Sequence, residues 1–371
     1  MPRPSVTTPG RNRELLTTGD RRGDLAPMDP TLPFDTAAQP WLKAAARGVA
    51  WLRSQLDGTE RLPKALHDLG SYYKWPLALA TLGRMELARQ LFDTLIDSFL
   101  RTDGDFRTAA YKSGDPLYGQ IADTYTNTWP IVAARVLERP EVGEASLECL
   151  RRRHVKETGG YLTGTPGQHH DRRQDIVTIA GCGNALLAWA HIDEAVTAGD
   201  CLLRVLEQQG PVDGPFQLYI DGSGELLCGD LGIPEALARI DPTKPDQVYV
   251  YWGMAAVFLA RLFVVVDQPR FLDGARAYFA RHDSCGDAVF DGLGCCKTGW
   301  AAATLYRITG ESAYRDMACR AATELVRLQC NHGDWSRPQL TPMLNCDCTA
   351  ELVYHLSQYT LELASGNAAP R

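Results

Sequence analysis

Asp347 stands between two thiols, Cys346 and Cys348, at the start of an apolar helical pattern. A carboxyl group withdrawn from water is suited to protonating an alkene, an epoxide or a carbonyl, because burial favours its protonated form. Aromatic faces stabilise the cation that forms, and an apolar cavity keeps water away from it. The rings are present at similar helix starts elsewhere: Tyr72, Tyr73 and Trp75; Tyr118, Tyr125 and Trp129; Tyr249, Tyr251 and Trp252; and Trp300. Among them stand Lys74, Asp123, Asn127, Gln174, Asp175, Gln247 and Lys297, and Cys295 and Cys296 open a further helix. Polar and aromatic residues collected in this way read as a lined cavity. The competing structural reading makes the rings core and Asp347 the N-cap of its helix.

The elements that position these residues come from apolar spacing at three and four. First helices are expected over 41–55, 85–100, 141–154, 193–209, 270–281 and 312–329, each followed by a second helix over 65–83, 120–138, 175–191, 246–266, 295–309 and 347–361. Turns from second to first helices are short and carry breakers, as at Gly83, Pro140, Pro269 and Gly310. Connections from first to second are long. Repeated helical pairs bury their faces only by stacking on neighbours, and six pairs suffice to close a ring. The expected fold is all-α, a single (α/α)6 toroid with six inner and six outer helices. Its long loops gather at one end with the N-termini of the inner helices, where sites are usually built. Strand is expected only in 216–227, around the turn signal from Asp221 to Gly224.

The 371 residues, 45% of them hydrophobic, are enough for one large closed core. The net charge of −7 gives no basic footprint, so nucleic acid is not an expected partner. Residues 1–39 form a Pro- and Arg-rich arm without periodicity, 40–364 the barrel, and 365–371 a disordered tail. No apolar stretch is long enough for an export signal or a membrane span. The eleven cysteines are then expected to be reduced and the chain cytoplasmic, as a monomer or weak homodimer.

Gln329, Gly333 and Trp335 have the Gln-x-x-x-Gly-x-Trp form of the repeat motif of triterpene cyclases, with weaker echoes at Gly104/Phe106, Gly159/Tyr161 and Gln209/Phe216. Asp347-Cys348-Thr349-Ala350-Glu351 resembles the motif of oxidosqualene cyclases. The resemblance implies that Gln329 and Trp335 tie neighbouring helices together and that Asp347 is the catalytic acid. Those cyclases have two barrels and this chain has one. It also lacks the Asp-Asp-x-x-Asp motif, so diphosphate ionisation is not expected.

The expected function is a cyclase or isomerase acting on a small hydrophobic, terpenoid or polyene-like substrate, without metal or other cofactor. Asp347 would be the acid. Tyr72, Tyr73, Lys74, Trp75, Asp123, Tyr125, Asn127, Trp129, Asp175, Tyr251, Trp252, Cys296, Trp300 and Cys348 would line the substrate. A pericyclic reaction driven by substrate folding alone is a close variant. Three alternatives remain open. Single (α/α)6 barrels also resemble unsaturated-uronyl hydrolases and sugar epimerases, for which Asp123, Asp175, Asp246 and Glu351 offer carboxylates, although His169 and His170 do not form a histidine array. Zinc toroids, the prenyltransferases and lanthionine cyclases, are loosely echoed by Asp291 with Cys295 and Cys296, and by Cys330 with His332. A toroid that binds without reacting is the last.

Overall fold

The computed structural model describes residues 34–108, 122–164, 172–245 and 247–365. The chain before residue 34, Tyr118, Gln120, His169, His170, Asp246 and the tail beyond 365 lie outside them. Among the described residues the main helices are α1 (Phe34–Gln55), α2 (Trp75–Thr81), α3 (Met85–Phe99), α4 (Tyr125–Val136), α5 (Pro140–Arg151), α6 (Ile176–Ala188), α7 (Ile192–Glu207), α8 (Val250–Val266), α9 (Pro269–Ala280), α10 (Cys295–Thr309), α11 (Ser312–Leu328) and α12 (Pro342–Ser365). Odd-numbered helices form an outer layer and even-numbered ones an inner ring. Each inner helix packs on the next, and α12 packs back on α2, which closes an (α/α)6 toroid. The sequence pattern follows the layers. The outer helices α3 and α7 keep one apolar stripe and one wet face, whereas α8 is buried on every side from Tyr251 to Ala260 and carries a single charged residue, Arg261.

Two of the expected inner helices differ from the sequence reading. The first is broken into a 3₁₀ turn (Lys64–Leu66), a single turn (Leu69–Tyr72) and α2. Pro76 has no N–H to donate and its ring would crowd the Tyr72 carbonyl, which disfavours a continuous helix here, although Pro40 and Pro130 are accommodated inside α1 and α4. The last begins at Pro342, with Thr341 accepting from the Leu344 N–H at 3.2 Å. Threonine before proline is a helix-start signal, and it places Asp347 inside α12. The N-cap reading of Asp347 is therefore overturned. At the other end of the chain α1 starts at Phe34, ahead of the expected start at 41.

Among the described residues strand is confined to three two-residue ladders in the long loops: His154–Val155 with Gly160–Tyr161, Gln174–Asp175 with Tyr219–Ile220, and Phe216–Gln217 with Arg239–Ile240. The expectation of strand only in 216–227 is thereby corrected, since residues of that stretch pair with partners outside it and one ladder lies elsewhere. The expected turn is present, with the Asp221 carboxylate accepting from the backbone of Ser223, Gly224 and Glu225.

The ring is closed by the segment after α11. The Gln329 amide donates to Ala44 O in α1 at 2.8 Å and to Gly333 O at 2.7 Å. Trp335, fully buried, donates from its indole to Leu325 O at 2.7 Å and from its backbone to the Thr349 hydroxyl of α12 at 3.3 Å. Gly333 has φ of 99°, and a Cβ there would stand 2.5 Å from Arg47 O of α1. Only glycine allows that approach. Gly104 against α5 and Gly159 against α7 repeat this arrangement, each followed two residues later by a buried ring, Phe106 or Tyr161. Truncating Trp335→Ala should cost about 3 kcal/mol of stability, as for a buried aromatic deletion. Thermal denaturation followed by circular dichroism checks this, and an unchanged Tm would contradict the stapling role.

Candidate active site

The centre of the ring holds four buried charges on three inner elements. Lys74 occupies the break before α2, held there by Pro76. Lys297 is in the first turn of α10, and Asp347 and Glu351 lie one turn apart on the inner face of α12. The Lys74 ammonium stands 2.8 Å from Asp347 Oδ1 and 2.7 Å from Glu351 Oε2. Lys297 Nζ approaches Glu351 Oε1 at 2.7 Å and the Tyr125 hydroxyl at 3.3 Å. One turn further along α12, His355 Nε2 is 3.5 Å from Glu351 Oε1. The rings of Tyr73 and Trp129 lie 5.2 and 5.4 Å from Lys74 Nζ, and Tyr125 lies 5.3 Å from Lys297 Nζ. Below this cluster Tyr354 stands edge-on to Trp129 at 5.0 Å and to Trp300 at 5.6 Å.

The electrostatics separate the two carboxyl groups. Burial would raise Glu351, but Lys297 and Lys74, joined by His355, hold it well below the ordinary carboxylate range. Burial also acts on Asp347, and there it prevails: with the Glu351 charge beside it, it outweighs Lys74 and raises the carboxyl above its ordinary value. Lys297 is held protonated, since Glu351 more than offsets the cost of burial. It is therefore no candidate for a Schiff-base amine. His355 is pushed down to about 4 by burial and stays neutral near pH 7. Cys346 and Cys348 are both pushed up to about 12 by burial and by Asp347, and Cys296 is raised well above its ordinary value. Neutral thiols are poor nucleophiles.

The other residues expected at the site divide. Tyr73, Lys74, Tyr125, Trp129, Cys296, Trp300 and Cys348 lie in or against the charge cluster and its aromatic walls. Tyr72 does not: its hydroxyl accepts from the Leu62 N–H at 2.7 Å and its ring packs on His67 and Phe99. Asn127 bonds Asp105 at 2.8 Å and the Phe106 N–H at 2.9 Å, fixing the loop after α3. Asp123 is buried, and its charge helps keep Arg153 protonated against the cost of burial. Asp175 caps α6 by accepting from the Thr178 N–H at 2.8 Å. Trp252 is wedged edge-on between Phe216 and His282, and Tyr251 is buried beside Tyr219 and Asp175. Trp75 is fully buried in the hydrophobic core. Sequence reading missed Tyr354 and His355, although a step of four from Asp347 through Glu351 reaches His355.

Cys296, Glu351 and His355 bring donor atoms within 4.8 Å of one another. This donor set does not suit a divalent cation. Both Glu351 oxygens already face ammonium groups at 2.7 Å, and the Cys296 proton is tightly held.

Among the described residues a cavity of about 270 Å³ runs from the Trp129–Tyr354–Trp300 wall to the C-terminal ends of the inner helices, past Leu187, Met254 and Val265. No helix there is long and apolar enough to cross a membrane.

No protein-family model and no curated protein matches the chain. Solved structures do. A D-mannose isomerase superposes with a TM-score of 0.65 at 13% identity, covering 90% of this chain and 99% of that one. The cellobiose 2-epimerase of Spirochaeta thermophila gives 0.63 at 15% identity, covering 91% and 99%. A type II terpene cyclase from Scytonema, in complex with merosterolic acid A, gives 0.54 at 14% identity, covering 89% and 99%. At such identities the likeness establishes the fold alone.

Proposed function

We propose that this toroid is a cyclase or isomerase that binds a hydrophobic, polyene-like substrate against its aromatic wall and starts the reaction with a proton from Asp347. The observation that carries the reading is the unequal sharing of two lysines by neighbouring carboxyl groups: Glu351 meets both at 2.7 Å, whereas Asp347 pairs with only Lys74 of the two, in keeping with a raised Asp347 and a lowered Glu351. Such a pair assigns acid and fixed anion. In the step itself the Asp347 O–H bond breaks and the π electrons of an alkene take the proton into a new C–H bond. The cation appears on the adjacent carbon, near the faces of Trp129, Trp300 and Tyr354. An internal double bond closes on it, or a neighbouring C–H loses its proton. In either case the last cation loses a proton from an adjacent C–H to the Asp347 carboxylate left by the first step, so one proton enters, one leaves, and the product is an isomer of the substrate. Glu351, clamped by two lysines, stays ionised throughout and holds Lys74 towards Asp347.

A sugar isomerase or epimerase on the same fold needs a base that titrates near neutrality. At the cluster both Glu351 oxygens already face ammonium groups at 2.7 Å, which leaves that carboxylate engaged and not free to take a proton from a sugar carbon. The experiment is incubation of the purified chain with acyclic polyenes and their terminal epoxides beside mannose and cellobiose. A product of unchanged mass is expected from the polyene set only. Conversion confined to the sugars, or a product that has gained the elements of water, would contradict the reading.

A further inference from the structure

The cavity beneath the aromatic wall opens at the end of the barrel opposite the long loops. Its lining includes Leu187 and Ala188 at the end of α6 and Val265 at the end of α8. The rim is apolar as well. Of the six exposed large apolar side chains among the described residues, Val136, Val264, Val265 and Leu361 lie towards the C-terminal ends of α4, α8 and α12. Those short turns join inner to outer helices and are not needed for the charge cluster. The volume of about 270 Å³ is nearly twice that of an engineered cavity of about 150 Å³ that holds benzene, so on the order of ten carbons fit. Two wall residues carry buried polar atoms without a partner: the Trp300 indole N–H, a donor, and Asn184 Oδ1, an acceptor. Buried polar groups usually find partners, and a hydroxyl group can accept from the indole N–H or donate to the amide oxygen.

We propose that this short-turn cavity is a binding site for an aliphatic chain of about ten carbons bearing one hydroxyl group. The proposal rests on the reading above only in treating that chain as the trailing part of the substrate; Asp347 does not line the cavity but lies beyond the Trp129–Tyr354–Trp300 wall, which the reacting end must pass. Arg261, stacked 4.8 Å over Trp300 and paired with Glu362 at 3.2 Å, stiffens one side of the mouth.

Equilibrium dialysis of the full chain against geraniol and 1-decanol tests the site. Saturable binding of one equivalent is expected, weakened at least about tenfold in Val265→Trp and Ala188→Trp, which place an indole in the mouth; that ratio corresponds to about 1.4 kcal/mol. Val265 is half-exposed, so its variant should fold, and an unchanged Tm confirms it. Binding of both alcohols, or of geraniol alone, or of decanol alone, supports the site and distinguishes a general chain from a prenyl or an acyl one. Binding of neither, or binding that both Trp variants leave intact, overturns it. The outcome is separable from that of the proposed reaction. If Asp347 proves dispensable while the Trp variants block geraniol, the acid fails and the cavity assignment stands; the converse result removes only the cavity.

Discussion

Asp347→Asn should lower turnover of the polyene substrate at least about a hundredfold, the usual scale for losing a general acid. The amide matches the carboxyl group in size and still accepts from Lys74, so the barrel should remain folded and substrate binding should change little. Asp347 lies within α12, and a change confined to helix capping is therefore not expected. Since its carboxyl is raised by burial and is active when protonated, wild-type activity should decline as pH rises through that raised value. Single-turnover kinetics across pH for wild type and variant measure both effects. Full activity in Asp347→Asn would leave shape-driven pericyclic closure as the surviving mechanism.

The second large effect is on stability. Glu351→Gln removes the one carboxylate that both lysines share, leaving the buried Lys297 ammonium without a carboxylate and Lys74 with Asp347 as its carboxylate partner. Removing one member of a buried ion pair typically costs about 3–5 kcal/mol. Denaturant unfolding of Glu351→Gln at pH 7 should show a loss of that size. The sign with pH follows from its lowered carboxyl: the stabilisation is present above the ordinary carboxylate value of 4.5 and is lost as pH falls through the folded one. The gap between wild type and variant should therefore narrow in acid. A gap that widens in acid, or a variant as stable as wild type at pH 7, would remove Glu351 from the centre of the cluster.

Much of the architecture was legible because helical pairs repeat, and the breakers at Gly83, Pro140, Pro269 and Gly310 fall where inner helices hand over to outer ones. Pro76 and Pro342 were the informative residues that went unweighted. One breaks the first inner helix and so presents Lys74, and the other starts the last helix early enough to bury Asp347. The site was only half legible. Aromatic residues at helix starts signal both a cavity and a core, and sequence does not say which way Tyr72 or Trp252 faces. The pairing of Lys74 with residues 273 and 277 positions away depends on ring closure, which no local pattern encodes. Asn127 and Asp175 looked like pocket polar groups but satisfy backbone donors in the loops and at a helix end, the commoner use of such side chains.

The most direct measurement is deuterium incorporation. Turnover of an alkene substrate in heavy water followed by mass spectrometry and NMR of the product should place one solvent-derived deuterium at a single carbon, and Asp347→Asn should abolish that labelled product. An isomerised product from wild type that carries no solvent deuterium on carbon, formed at the same rate by Asp347→Asn, would contradict proton initiation by Asp347.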